Sequence, residues 1–346
     1  MDYNKQIQMP FKQLRVHFGN DCNMHCSFCH SIGLDTKIEY NPEKIVSIFN
    51  EGDFTACSYV GGETTLYLDK IVDLLNRLPV GIRNSFTTNG STMEGDILHK
   101  TLMNRFVVSV SVNEFTLGSL KYEGLKQIYQ LGTSCVWDGK HTLDEIDKMY
   151  DEVSDGLGYL KFPYYNLVHR TGTSPDFHYT DSQIDKFLSD IAYRLQLACH
   201  SFVRGKISRY SMLLLVLNTW FSHEGFGCWR DDYITVQADG KYSPCSYSAI
   251  SFDDFETADT FIRNSLHNKF KCDSCIIPKD QCKMCYLSLD DTECKVLRGA
   301  YQIYMRTLKK YRINYMEVYD KLQRYPFTIQ GGVHIVTGKQ IGRAHV

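Results

Sequence analysis

Cys22-Asn23-Met24-His25-Cys26-Ser27-Phe28-Cys29 sets three cysteines at C-x3-C-x2-C, directly after the first apolar run, Leu14-Arg15-Val16-His17-Phe18. Three thiolates this close in sequence can converge on one soft metal centre. Zinc and iron–sulfur clusters both accept such ligands, but a structural site normally uses four. Three ligands leave one metal position open, and an open position admits a cofactor or a substrate. On the loop alone, three buried or zinc-binding cysteines are the alternative.

The rest of the composition narrows the choice. With 346 residues, the chain suffices for one large or two modest domains with a sizeable core. Its 43% hydrophobic and 23% charged residues are ordinary for a soluble globular protein. A net charge of −2 gives no electrostatic reason to expect nucleic acid or an anionic membrane as partner. The start, Met1-Asp2-Tyr3-Asn4-Lys5-Gln6, has no apolar signal core, and the run Met212–Leu217 is too short to span a bilayer. A cytoplasmic location is expected. There, 13 cysteines in tight groups point to metal or redox work rather than disulfides. At the other end, Gln340-Ile341-Gly342-Arg343-Ala344-His345-Val346 back-translates to a common sequencing adapter. The expectation is that 326–346 is an unstructured tail whose end is an artefact and whose natural C-terminus is missing.

Local signals give a regular alternation. Asn41-Pro42-Glu43-Lys44 starts a helix with Pro at its first position, running Pro42–Asn50. Phe54–Val60 reads as a strand ending in Gly61-Gly62-Glu63-Thr64, and Asp69–Leu78 as a helix. The strand Arg83–Thr88 ends in Thr87-Thr88-Asn89-Gly90. Helix Gly95–Arg105, strand Phe106–Val112, helix Leu120–Leu131, strand Thr133–Trp137, helix Leu143–Val153 and strand Tyr159–Phe162 follow. Thr180 caps a long helix to about His200. Such alternation implies a parallel sheet with helices outside, wound by right-handed crossovers into a partial barrel. Sites in such folds lie at the C-terminal ends of strands. The cysteine loop, Gly-Gly-Glu and Thr-Asn-Gly follow the first three strands in turn.

In that position these motifs resemble those of the radical S-adenosylmethionine (SAM) enzymes. The resemblance implies that Cys22, Cys26 and Cys29 hold a 4Fe–4S cluster whose fourth iron is chelated by SAM. It assigns Gly61, Gly62 and Glu63 to the SAM amino group, glycine for unobstructed backbone contact and the carboxylate for a charge-assisted bond. Asn89 of Thr-Asn-Gly joins the cofactor-binding set. Ser109, Ser111 and Asn113 alternate along one side of the fourth strand and are candidates for the SAM carboxylate or ribose. The family often has Asp where this chain has Asn113. Phe28 would lie near the adenine.

A second cysteine field holds Cys228, Cys245, Cys272, Cys275, Cys282, Cys285 and Cys294. Asp239-Gly240 between two apolar runs is a hairpin signal. The field resembles the SPASM extension of radical SAM enzymes, which carries one or two auxiliary Fe–S clusters. By that resemblance Cys272, Cys275, Cys282 and Cys294 hold an outer cluster, and Cys228, Cys245 and Cys285 an inner one with an open fourth position. The family has five residues, then three, around the third central cysteine; here there are six, then two. Cys272, Cys275, Cys282 and Cys285 also have credible zinc spacing. Cys57, Cys135 and Cys199 sit among apolar residues and read as core. His30 adjoins the cluster loop, with tuning and packing both open.

The fold expected is α/β, a partial (β/α)6 TIM-like barrel over 1–200, a connector over 201–227, a small cysteine-rich auxiliary-cluster domain over 228–300 and a C-terminal helix over 301–325. The resemblance implies reductive cleavage of SAM to a 5′-deoxyadenosyl radical that takes hydrogen from a substrate. The leading substrate class is a ribosomal peptide or protein, with a separate leader-recognition protein and a flavodoxin or ferredoxin-type electron donor as partners. A radical SAM dehydrogenase of a small alcohol and a sulfatase-type maturase are alternatives. The latter is weakened by Ser246, which stands where those enzymes place an Asp base. A non-enzymatic zinc scaffold explains the cysteines but not the strand-end motifs.

Overall fold

Apolar residues alternate through the strands and recur at helical spacing between them, and the chain folds accordingly. A computed structural model describes residues 13–29, 31, 34, 37–159, 161, 163, 165–167, 179–221, 233–246, 248, 250–268, 275–277 and 292–322. The strands are β1 (Gln13–His17), β2 (Ala56–Val60), β3 (Arg83–Thr88), β4 (Val107–Ser111), β5 (Leu131–Trp137), β6 (Tyr165–Leu167), β7 (Tyr233–Gln237) and β8 (Tyr242–Ser243). The helices are α1 (Pro42–Glu51), α2 (Leu68–Leu75), α3 (Gly95–Met103), α4 (Glu114–Leu117), α5 (Tyr122–Leu125), α6 (Leu143–Leu157), α7 (Asp181–Val203), α8 (Ser211–Phe221), α9 (Phe255–Asn268), α10 (Thr292–Tyr311) and α11 (Tyr315–Leu322).

All strands join one sheet in the order β6-β5-β4-β3-β2-β1-β7-β8. The first seven are parallel; β8 turns back antiparallel on β7 through the Asp239-Gly240 hairpin. This is the partial barrel expected, open rather than closed, with β7 as a seventh parallel strand on the free side of β1. Segment 233–243 is therefore continuous with the barrel sheet. Leu14 and Val16 point to the helices and join Ile45, Ile48 and Phe49 in the core. Strand alternation puts Arg15 and His17 on the opposite, concave face. Register there aligns Thr235, Arg15, Ser58 and Ser85 in one buried polar row across β7, β1, β2 and β3.

Capping residues set the helix starts. Asn41 accepts the Lys44 N–H ahead of Pro42. Thr142 and Glu145 form a reciprocal capping box on α6, and Thr180 and Gln183 do the same on α7. Three expected boundaries move. The helix expected over Leu120–Leu131 shrinks to α5: Gly124 packs so closely that a Cβ would lie 1.8 Å from the Met93 carbonyl oxygen, and Leu131 already belongs to β5. The strand expected over Tyr159–Phe162 forms later, as β6, while buried Lys161 donates to the Leu131 carbonyl. The helical stretch after Cys294 divides into α10 and α11 around Arg312, whose φ is +55°. The connector holds α8, where every residue from Met212 to Leu217 is buried, against α7, α10 and α11. Among the described residues no helix is long and apolar enough to cross a membrane.

Candidate active site

The turns after β1, β2 and β3 are built against one another. The Gly62 N–H donates to the Gly19 carbonyl at 2.9 Å, and the Glu63 N–H to the Asp21 carbonyl at 2.7 Å. The Tyr67 hydroxyl accepts the Asp21 N–H at 2.8 Å. A Cβ on Gly62 would lie 2.3 Å from the Asp21 oxygen and 2.5 Å from the Asn20 oxygen. The second glycine is thus required by the backbone that leads into Cys22.

Glu63 is buried and heavily engaged. Its Oε1 accepts the Thr65 N–H (3.1 Å), the Thr65 hydroxyl (2.6 Å) and the Thr88 hydroxyl (2.7 Å); its Oε2 accepts the Asn89 N–H (2.7 Å). The sequence reading assigns this carboxylate to the SAM ammonium. In the structure it first ties the Gly-Gly-Glu turn to the Thr-Asn-Gly turn, and only Oε2 keeps substantial accepting capacity. Asn89 in turn donates from Nδ2 to the Asn23 side chain at 2.7 Å, while its Oδ1 accepts from the Ser91 N–H and hydroxyl. The residue after Cys22 is therefore clamped by the end of β3.

Cys22, Cys26 and Cys29 are free and partly exposed. Burial pushes the Cys22 thiol up and Cys26 up to about 11, and for both the charges of the neighbouring cysteines add to the effect. A cation bound beside these thiols would favour their thiolates and offset both effects. Their sulfurs do not gather within 4.8 Å of one another. A single tetrahedral zinc at about 2.3 Å from each sulfur needs them roughly 3.8 Å apart. The three sulfurs are therefore not a ready-made site for one zinc ion. Phe28 packs edge-on against Phe115 at 5.9 Å, joining the cysteine loop to the end of β4. Ser109 is buried and Ser111 half-buried on that strand. Asn113 is the N-cap of α4, its Oδ1 accepting the Phe115 and Thr116 N–H groups, which leaves its Nδ2 as the atom available to a ligand.

Of the second cysteine field, Cys245 is buried, and Cys275 and Cys294 are half-buried. Cys228, Cys272, Cys282 and Cys285 lie outside the described residues, as does His30. Ser246, next to Cys245, has a buried hydroxyl without a hydrogen-bond partner. Cys57, Cys135 and Cys199 are buried, with thiols pushed up by burial, to about 12 for Cys57 and Cys199. All three behave as core.

Sequence reasoning missed a cluster at the ends of β4 and β5: Glu114, Asp138 and His141, whose ligand atoms lie within 4.8 Å of one another. The usable signal was an acid at a strand end followed by a histidine three residues on, immediately before the capping box of α6.

Residues 16–116 match the model of the Radical SAM superfamily. Probable GTP 3′,8-cyclases of Pyrococcus horikoshii and Pyrococcus abyssi are each 32% identical over 119 residues, which is 33% of this chain and 37% and 38% of theirs. An S-adenosylmethionine-dependent nucleotide dehydratase of Lacinutrix mariniflava is 28% identical over 110 residues, covering 28% of this chain and 23% of that protein. The chain thus spans between about a quarter and two fifths of the length of these curated relatives. Among solved structures, anSMEcpe with bound AdoMet and the Cp18Cys peptide superposes with a TM-score of 0.59 at 17% identity, over 87% of this chain and 99% of that one. Streptococcus suis SuiB bound to S-adenosylmethionine gives 0.55 at 15% identity, over 80% and 73%. At these identities the likeness is one of fold. The segment that carries the cysteine loop, the Gly-Gly-Glu turn and β4 is the part that matches the radical SAM family, whose members use a 4Fe–4S cluster and SAM.

Proposed function

We propose that this protein cleaves SAM reductively and uses the product radical to take a hydrogen atom from a peptide or protein. Held by Cys22, Cys26 and Cys29, a 4Fe–4S cluster with SAM supplies a 5′-deoxyadenosyl radical and methionine. The chain's own residues orient and shield. The carbonyls of Gly61 and Gly62 and the remaining Oε2 capacity of Glu63 receive the SAM ammonium. Ser109, Ser111 and the Asn113 Nδ2 serve its carboxylate and ribose, and Phe28, backed by Phe115, the adenine. Asn89 keeps the cysteine loop in register. The cysteines from Cys228 to Cys294 would hold auxiliary clusters, which would supply an acceptor for the substrate electron, and a flavodoxin or ferredoxin would serve as electron donor.

The observation that carries the peptide reading is the likeness over most of the chain to folds solved with peptides. SuiB bound to precursor peptide SuiA superposes with a TM-score of 0.54 over 82% of this chain. The curated relatives favour a second reading, a nucleotide substrate, but their match is confined to about a third of the chain. The test is anaerobic reconstitution, iron and sulfide content, then dithionite and SAM with either GTP or short peptides encoded beside the gene. Two or three clusters, 5′-deoxyadenosine, and a peptide mass change are expected. A single cluster removes the auxiliary domain; conversion of GTP alone moves the substrate to the nucleotide class. Cys22→Ala, Cys26→Ala and Cys29→Ala should each abolish SAM cleavage while auxiliary iron stays.

A further inference from the structure

We propose that His141 is the proton acceptor of this site, oriented by Asp138 and presented beside Glu114 to a hydroxyl- or thiol-bearing side chain of the substrate. The inference rests on the radical SAM reading above.

Asp138 directly follows β5 and is 4% exposed. Its Oδ1 accepts two backbone N–H groups, those of Lys140 and His141, each at 3.0 Å. Its Oδ2 lies 3.0 Å from His141 Nδ1. A carboxylate only accepts, so Nδ1 carries the hydrogen; Nε2, 3.5 Å from Glu114 Oε2 and making no hydrogen bond to it, keeps its lone pair. The backbone of His141 is held as well. Trp137 Nε1 donates to the His141 carbonyl at 3.0 Å, and Trp137 stacks on Tyr179 and Phe187 with centroids 4.6 and 4.0 Å away. Thr142, the cap of α6, follows at once.

The pair stands on the same rim as the cysteine loop. Lys140 Nζ reaches the Ser27 hydroxyl at 3.4 Å, and Phe115, next to Glu114, packs on Phe28. The charge of Glu114 also acts on Cys26. The arc of strand-end turns thus runs from the cysteines, through Gly-Gly-Glu, Thr-Asn-Gly and Asn113, to His141.

Two other uses of the cluster fit less well. A cation at these three residues would have to share Asp138 Oδ2 with His141 Nδ1; with that bond kept whole, Nε2 and Glu114 remain, one ligand short of a catalytic zinc site. A plain surface ion pair would need neither a buried carboxylate nor two backbone N–H groups to fix it.

The step balances simply. The Nε2 lone pair takes the proton of a substrate O–H or S–H. The bonding electrons stay on oxygen or sulfur, and the imidazole becomes a cation. That cation lies between two carboxylates, Asp138 at 3.0 Å and Glu114 at 3.5 Å. The partly exposed ring then returns its proton to water.

The pinning of Oδ1 supplies a sharp test. In Asp138→Asn the side-chain oxygen must stay with the two N–H groups, which turns the NH2 toward Nδ1. The hydrogen then moves to Nε2 and the lone pair is lost, the wrong-tautomer effect. Anaerobically reconstituted full-length protein is treated with diethyl pyrocarbonate, and His141 is followed by peptide mass spectrometry. Wild type should be labelled at His141, and D138N labelled at least about tenfold more slowly, with iron content and melting temperature retained. For a peptide the wild type converts, D138N should lower kcat by about a hundredfold or more and leave KM within about threefold. An unlabelled wild-type His141, D138N labelled at the wild-type rate, or an unchanged kcat would each overturn the proposal. Absence of 5′-deoxyadenosine from wild type overturns the radical reading instead, whatever the labelling shows.

Discussion

Gly62 has no room for a methyl group, whereas Gly61 has some. An added Cβ meets backbone oxygens at 2.3 and 2.5 Å at Gly62, but only the Tyr67 ring at 3.0 Å and the Gly19 oxygen at 3.1 Å at Gly61. Gly62→Ala should therefore cost about 1–3 kcal/mol and lower cluster loading, with Gly61→Ala milder in both. Iron per chain and denaturant midpoints of the two variants measure the contrast. His17 is a second case. Burial lowers it to about 4, against weaker opposing hydrogen bonds from Asn20 and Gly19. The neutral ring is the folded form, so stability is complete above the ordinary histidine value near 6.5 and is lost as pH falls toward 4. Urea midpoints should show about 2 kcal/mol less stability at pH 5 than at pH 7 from this residue, a difference that His17→Gln removes. The motif residues were legible because the chemistry needs those types at that spacing. The second duty of Glu63 was not, since Thr88 and Asn89 reach it only when β3 lies beside β2. His141 was only half readable: Asp138 three residues before it was a usable local signal, but the approach of Glu114 appears only once β4 lies beside β5.

Helices and strands were legible wherever a cap or a turn residue marked an end, as at Pro42, Thr142, Thr180 and Gly240. Boundaries slipped where packing overrode periodicity. Leu120, Gly124 and Ile128 fall at helical spacing, yet α5 ends at Leu125 and Leu131 already belongs to β5. A buried polar network that no pattern announces joins α6, β6 and α7. Arg194 is 2% exposed and bonds Asp147 Oδ2 from Nη2 at 3.0 Å and from Nε at 3.3 Å, and Asp144 from Nη2. Tyr165 donates to the other oxygen of Asp147. Arg194→Met would leave the Asp147 charge buried without its cation. It should cost about 3–5 kcal/mol, while the double variant with Asp147→Leu recovers much of that. Chemical denaturation of the three variants decides it.

At the scale of the whole molecule, the barrel does not end where the radical SAM match ends. β1 is an inner strand only because β7 pairs with it along five residues, Gln13–His17 against Tyr233–Gln237. Ending the chain after Phe221 would turn β1 into a bare parallel edge carrying the root of the cysteine loop. Bare edges recruit other chains. The prediction is that residues 1–221 elute from size exclusion as aggregates and fail to retain iron, where the full chain runs as a discrete species. The alternation that identified the barrel could not show this seventh strand. Its sequence, Tyr233-Ile234-Thr235-Val236-Gln237, declares a hairpin with β8, and nothing in it declares a parallel neighbour more than two hundred residues earlier.

That pairing also sets a timetable. On the ribosome β1 emerges roughly two hundred residues before its partner β7. At about 5–20 residues per second, the gap is on the order of tens of seconds. During that interval the strand that anchors three oxidisable thiols has one side unclaimed. A cell making this protein must cover the nascent edge, and must deliver iron and sulfide after β7 is in place, so that cofactor insertion is a late event in its biogenesis.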